Sequence, residues 1–371
     1  MAPKAKEDLV SKELEFDTEG ISIKDGNDPI FSRIYPTGSL GLDVLIEGFT
    51  SGEIQLWGPD GIGKTSLAFI MGGEFQAANN YDKCRVYVHA TEGRYNPRLV
   101  TMAPKLKMFA KTEKLANGEP RPIFRISMPK SGEKMFDFIQ RTLQQDEIKF
   151  FHIIDSVDNI KCEANEGKPM SEDDKLAATA TLLTRFLRNA TVYMNHYGHI
   201  VLFIHQIRDK ISTGAGRPGG VRHAGGNMAN HNSNLRLGFA KLWSELYINE
   251  KPSDPKSKII GHMMDTKIEK VNTSGNSLSG IRIPFIYNMG IDRVREILSL
   301  GLGYGLIERK GAWFARNGEN IGQGENGTLD FLRNNANITA EIEQQIKETS
   351  GLCKTTQKTE VKEAKEPKEK K

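Results

Sequence analysis

This chain predicts an α/β fold: a P-loop core whose mainly parallel sheet is flanked by helices, with a short N-terminal arm and a small α+β unit towards the C-terminus. Three observations predict it. Residues 58–65 read Gly-Pro-Asp-Gly-Ile-Gly-Lys-Thr, with a strand-like run before them and a helix-competent run after. Apolar strand-like runs alternate with helical stretches from Ile34 to about Arg295, the pattern of a parallel sheet sandwiched by helices. Three of those runs close on a polar group, at Glu92, Asp155 and Gln206, and such sheets carry ligands at the carboxyl ends of their strands.

Taken in order, residues 1–33 are polar, with one short helical pattern at Leu9–Leu14 that is too small to bury a core. They are expected to form a docking arm. Glu53–Trp57 make the strand ahead of the P-loop and Ser66–Met71 open the helix behind it. Gly58, Gly61 and Gly63 let backbone N–H groups turn inward around phosphate oxygens, with no Cβ in the way. Pro59, Asp60, Ile62 and Ser66 complete the phosphate-binding segment. Lys64 is placed to reach the β- and γ-phosphates and Thr65 to ligate Mg²⁺. The helix N-terminus adds unpaired donors and a positive dipole end, so a nucleoside triphosphate is the expected ligand.

The run Val86–Thr91 ends in Glu92, expected to face the γ-phosphate from a neighbouring strand and polarise the attacking water. A solvated loop glutamate is the plainer alternative. Phe150–Ile154 ends in Asp155, the expected Mg²⁺ partner of the P-loop, although a strand-ending Asp is also a common cap. Ile200–His205 ends in Gln206, which can bond a γ-phosphate and transmit its loss to the Gly-rich segment that follows. That segment carries Arg208, Lys210, Arg217 and Arg222 against the single acid Asp209. Its glycines, Gly225 and Gly226 among them, suit a mobile cationic loop that follows a phosphate backbone. A plain surface loop is the alternative. Polar segments also interrupt the pattern at Lys111–Arg121 and Cys162–Asp174. His89, His152 and His205 sit on separate strands without ligand-like spacing, so buried, satisfied histidines are expected rather than a metal cluster.

A smaller unit begins near Leu298, with Gly-rich turns and a helical end at Ala340–Thr349, and the Lys/Glu-rich residues 351–371 are expected to form a disordered tail. The 371 residues can bury a large core, and 38% hydrophobic with 26% charged residues is ordinary for a globular protein. A net charge of +4 is too mild to argue for nucleic acid on its own. Cys84, Cys162 and Cys353 are scattered with no C-x-x-C pair, which argues against a zinc site or a disulfide framework. With no long apolar run, a soluble cytoplasmic protein with no membrane association is expected.

The order of these motifs resembles the RecA-type recombinases of bacteria and their phages over roughly residues 34–346. The resemblance includes Thr37–Asp43, Ile154–Val157, Phe203–Arg208, Gly311–Phe314 and Gly318–Gly324. It implies a RecA-like core over 34–297, a C-terminal domain over 298–350, and ATP with Mg²⁺ as cofactors. It also implies water activation by Glu92 and coupling of the γ-phosphate through Gln206 to a second DNA-binding loop at 207–234, with Gly225, Gly226 and Asn227 at that loop's end. Residues 162–175 would be the first DNA-binding loop, and Lys270 one of two lysines that reach a neighbouring subunit's ATP. The second such lysine falls on Asn272. The implied function is a DNA-dependent ATPase that forms helical homo-oligomeric filaments on single-stranded DNA and exchanges strands with duplex DNA. A single-strand-binding protein or a loader would be a further partner. A ring helicase on the same core and an ATP-binding, DNA-coating scaffold are the alternatives.

Overall fold

The computed structural model describes residues 28–163, 177–206, 232–251, 254, 256–273 and 279–352. The strands are β1 (Gly52–Gly58), β2 (Cys84–Ala90), β3 (Phe109–Lys114), β4 (Pro120–Pro122), β5 (Phe124–Ser127), β6 (Lys149–Asp155), β7 (Ile200–Gln206) and β8 (Leu235–Phe239). They continue with β9 (Tyr247–Asn249), β10 (Ile259–Val271), β11 (Gly280–Ile286) and β12 (Gly290–Ile291). The main helices are α1 (Leu40–Ile46), α2 (Lys64–Ala78), α3 (Gly132–Leu143), α4 (Ala177–Tyr197), α5 (Arg293–Gly303), α6 (Gly324–Asn334) and α7 (Ala336–Ser350).

One large sheet runs in the order β12-β11-β10-β8-β1-β7-β6-β2-β5, with β9 beside β10. The strands from β8 to β5 are mutually parallel, and β9 to β12 extend them in antiparallel fashion. Gly58 is level with Gln206, and Ala90 with Asp155. The carboxyl ends of β1, β2, β6 and β7 therefore line one edge.

The apolar runs are continuous because these strands are buried on both faces. On one face Ile54, Leu56, Val86, Phe151, Ile153, Leu202 and Ile204 pack with Leu67, Met71 and Phe75 of α2. On the other, Ile154, Val201 and Phe203 pack with Met135 and Ile139 of α3 and with Leu183, Leu187 and Met194 of α4. Side-chain caps set the helix starts: Ser131 Oγ accepts from Lys134 N ahead of α3, and Asp292 from Arg295 N ahead of α5.

Lys111–Arg121, a polar interruption in the sequence, folds with its flanks as the β3–β4 hairpin, turned at Gly118 (φ +84°). Its strands are short and largely exposed, so no apolar run marks them.

Beyond α5, β13 (Glu308–Lys310), β14 (Trp313–Arg316) and β15 (Glu319–Gln323) form a separate antiparallel sheet packed on α6, with α7 against α5 and α6. Its core of Ile297, Phe314, Ile321, Leu329 and Ile342 also takes in Leu40 of α1. At that junction the buried Glu296 carboxylate accepts from the Ser39 hydroxyl and from Leu40 N at 3.0 Å. Arg293 donates to Glu343 at 2.8 Å beside it. Among the described residues, no helix is long and apolar enough to cross a membrane.

Candidate nucleotide-binding and hydrolytic site

The P-loop turns between β1 and α2. Gly61 (φ +76°) and Gly63 (φ +99°) lie in the left-handed region that favours glycine, and Gly63 is the residue from which α2 starts. Lys64 is buried, and its ammonium donates to the carbonyls of Gly58 at 2.7 Å and Pro59 at 2.6 Å, with the exposed Asp60 carboxylate 4.0 Å away. Burial lowers its pKa, opposed by Asp60 and Asp155. Ile62, buried in the middle of the loop, has its carbonyl 3.2 Å from Nε2 of His262 on β10. That contact needs Nε2 to carry the proton.

Thr65 and Asp155 come together at the base of the loop: the threonine hydroxyl donates to Asp155 Oδ2 at 2.9 Å. Burial raises the Asp155 pKa, and the Thr65 hydrogen bond lowers it. A hydroxyl and a carboxylate in contact at a P-loop form the oxygen donor set that suits a hard divalent cation, so the residues present fit Mg²⁺.

Glu92 lies two residues beyond β2, which is separated from β1 by β7 and β6 rather than being its neighbour. Asp155 ends the strand adjacent to β2, and the backbone beyond it bends under Glu92, with Thr91 Oγ1 donating to the Ser156 carbonyl at 2.7 Å. Glu92 Oε1 accepts from Gln206 Nε2 at 2.8 Å, Asn159 Nδ2 at 2.9 Å and Ser156 Oγ at 3.3 Å. Its Oε2 accepts from Arg94 at 2.9 Å. Gln206 is itself fixed, since its backbone N–H donates to Asp158 Oδ2 at 2.8 Å. A cavity of about 650 Å³ opens here, lined by Asp60, Glu92, Arg94, Lys130, Lys161 and Gln206 among others.

The structure thus brings Glu92 and Gln206 together, and Thr65 and Asp155 together. Lys270 stands apart, on β10 beside Glu53 and Arg236, level with the middle of β1. Arg208, Lys210, Arg217, Arg222, Gly225, Gly226 and Asn227 lie outside the described residues, as do most of 162–175, residues 1–27 and residues 353–371. Ser156, Asp158, Asn159 and Arg94 were not singled out from the sequence. Their signal was local: the first three lie within four positions after Asp155, and Arg94 follows Glu92 by two positions. His262 has no such signal, because only the sheet order brings it to the P-loop.

A mainly parallel sheet with a P-loop leaving its central strand, and acid and amide side chains gathered at the carboxyl edge, defines a P-loop α/β protein of the RecA-like fold. The chain belongs to the RecA family. The family models for the RecA N-terminal and C-terminal domains match residues 9–292 and 295–351. Protein RecA of Caulobacter vibrioides (strain NA1000 / CB15N) is 27% identical over 317 residues, 85% of this chain and 80% of that protein. Protein RecA of Acidothermus cellulolyticus is 28% identical over 322 residues, 86% of this chain and 84% of the relative. The crystal structure of the RadB recombinase matches with a TM-score of 0.44 at 20% identity, over 70% of this chain and 98% of that one. Family membership supports a recombination ATPase role.

Proposed function

We propose that this chain is a DNA-dependent ATPase of homologous recombination that forms filaments on single-stranded DNA and exchanges strands with a homologous duplex. The observation that carries the proposal is the 2.8 Å hydrogen bond from Gln206 to Glu92. It joins the candidate hydrolytic carboxylate to the last residue before the cationic segment that begins at 207. In this reading Lys64 and the P-loop amides hold the triphosphate, and Glu92 orients and deprotonates the attacking water. Thr65 and Asp155 would hold Mg²⁺, which neutralises phosphate charge. Gln206 exchanges Glu92 for the γ-phosphate when ATP is bound, and so changes the restraint on the chain that follows it. The cations Arg208, Lys210, Arg217 and Arg222 then contact the DNA backbone, with Gly225, Gly226 and Asn227 closing the loop. Lys270 would act on a neighbouring subunit's nucleotide, and the arm at 1–33 would dock on a neighbouring core, an open-ended head-to-tail contact.

A scaffold that binds ATP and DNA but hydrolyses little is the second reading, and Asn272 favours it. Its uncharged side chain donates to Asn234 Oδ1 at 3.0 Å, where the resemblance implies an interface lysine. Imaging of the protein on single-stranded DNA with a slowly hydrolysed ATP analogue, with turnover measured with and without DNA, tests both. Helical filaments with DNA-stimulated turnover are expected. Closed rings would overturn the recombinase reading, and filaments without turnover would leave the scaffold.

A further inference from the structure

We infer that Arg94 is a positioning residue of the hydrolytic site, a latch on the one oxygen of Glu92 left for water. The inference rests on the reading of Glu92 as the water-activating base. Oε1 of Glu92 accepts from Gln206, Asn159 and Ser156, and when Gln206 turns to the γ-phosphate the other two donors still fill its two lone pairs. A base must reach the proton that it takes, so an attacking water is confined to Oε2. Arg94 donates to Oε2 at 2.9 Å, taking one of its two lone-pair positions and drawing electron density from the oxygen that water must use.

The latch is built locally. Gly93 sits in the left-handed region (φ +69°), and its N–H donates to the Ala90 carbonyl at 3.0 Å, closing a turn that folds Arg94 back onto Glu92. The three residues Glu92-Gly93-Arg94 therefore carry both the base and its restraint. The Arg94 side chain is 85% exposed while Glu92 is 21% exposed. An exposed ion pair of this kind shifts an equilibrium by only a few-fold, so the latch holds lightly and a competing anion can open it. The cavity beside it also carries Lys130 and Lys161. A guanidinium fork suits a phosphate as well as it suits a carboxylate. The opening ligand is accordingly a phosphate group, of the nucleic-acid backbone or of a free phosphate.

The test is steady-state ATP turnover of the full chain, with and without single-stranded DNA and with added inorganic phosphate, for wild type, Arg94→Ala and Arg94→Lys. Arg94→Ala is expected to raise DNA-free kcat about threefold, the scale of an exposed ion pair, while KM for ATP stays within about twofold. Arg94→Lys is expected to return kcat towards wild type. A merely structural role would lower turnover rather than raise it. If backbone phosphate opens the latch, the stimulation by DNA shrinks in Arg94→Ala. If free phosphate does, added phosphate raises the DNA-free rate of the wild type but not of the variant. A wild type that turns over and an Arg94→Ala rate equal to it or lower would overturn the latch alone. Absence of turnover from every variant would overturn the latch together with the hydrolytic reading.

Discussion

Two hydrogen-bonded clusters cross β2 and β6, and they differ in what they do with charge. At the carboxyl edge, Glu92 gathers Gln206, Asn159, Ser156 and Arg94 around a carboxylate that lines an open cavity. On the same strands, the buried His89 and His152 link partly buried Ser127 of β5 to partly buried Thr142 of α3, with contacts of 2.6, 3.0 and 2.9 Å along the chain Ser127, His89, His152, Thr142. The Thr142 hydroxyl donates to the Ile139 carbonyl at 2.6 Å, so it accepts from His152 Nε2–H. His152 Nδ1 then accepts from His89 Nε2–H, and His89 Nδ1 from the Ser127 hydroxyl. Every proton is assigned and no formal charge remains. Burial pushes the His89 pKa down to about 3, and that of His152 well below its usual value. The strands supply the positions of both clusters; one opens onto a cavity and the other centres on two buried rings.

The largest effect that separates the two clusters is expected from Glu92→Gln. It keeps the side-chain shape and an acceptor for Gln206 and Asn159, loses the acceptor that faces Arg94 and removes the proposed base, so DNA-stimulated turnover should fall about 10²–10⁴-fold, the usual scale for general-base loss. DNA binding measured by fluorescence anisotropy should persist. Unchanged turnover would remove Glu92 from the mechanism and leave both clusters structural.

The histidine cluster breaks the comparison in the other direction, through pH. His89 and His152 are neutral when folded and protonate with an ordinary pKa of 6.5 when unfolded. The unfolded chain then binds more protons below that value, so their contribution is complete above about pH 6.5 and declines as pH falls. The decline is about 1.4 kcal/mol per pH unit for each ring. His199 behaves alike: burial lowers its pKa to about 4, with Nε2 donating to the Gln145 carbonyl at 2.8 Å. Two buried carboxyls oppose this trend. Burial raises Asp43 to about 7 and Glu53 to about 8, so each folded group holds a proton that the unfolded chain releases, and their contribution declines as pH rises. Net stability mixes the two classes, and ring ¹⁵N NMR isolates the histidines. Both His89 and His152 should stay as Nε2–H tautomers from pH 7.5 to 5. A protonation midpoint inside that range would contradict the proton assignment.

How much of this was legible in the sequence follows from the same contrast. β1, β2, β6 and β7 were legible because burial on both faces writes an unbroken apolar run, and Asp155 and Gln206 were legible because they end such runs. The spatial partners were not. His89 and His152 look unrelated in a list of strands; they meet because β2 and β6 are neighbours with Tyr87 opposite His152, a register that only the assembled sheet sets. His262 reaches the P-loop for the same reason. The β3–β4 hairpin was missed because its exposed, charged strands carry no apolar alternation.

Thr142→Val sharpens the buried side of the comparison. It keeps the side-chain shape but leaves His152 Nε2–H without its acceptor. A buried donor left unsatisfied costs about 1–3 kcal/mol, so the urea midpoint should fall accordingly while turnover per folded molecule is retained. A stability loss below about 0.5 kcal/mol would show that the chain of protons relaxes onto another acceptor.

The smallest effect belongs to Asn159→Ala at the edge. Asn159 Nδ2 donates to Glu92 Oε1 at 2.9 Å and to Ser156 Oγ at 2.9 Å, and Ser156 Oγ in turn donates to Glu92. The amide therefore supports the carboxylate directly and through the serine. Because the cluster is partly open to water, solvent replaces much of what is lost, and one net hydrogen bond of about 0.5–1.5 kcal/mol is at stake. A decrease in kcat of about 2- to 10-fold is expected, with KM for ATP and the melting temperature near wild type. Gln206 still reaches Oε1 in this variant, so the carboxylate keeps one fixed donor. A loss as large as that of Glu92→Gln would mean that Asn159, rather than Gln206, sets the angle at which Glu92 meets water.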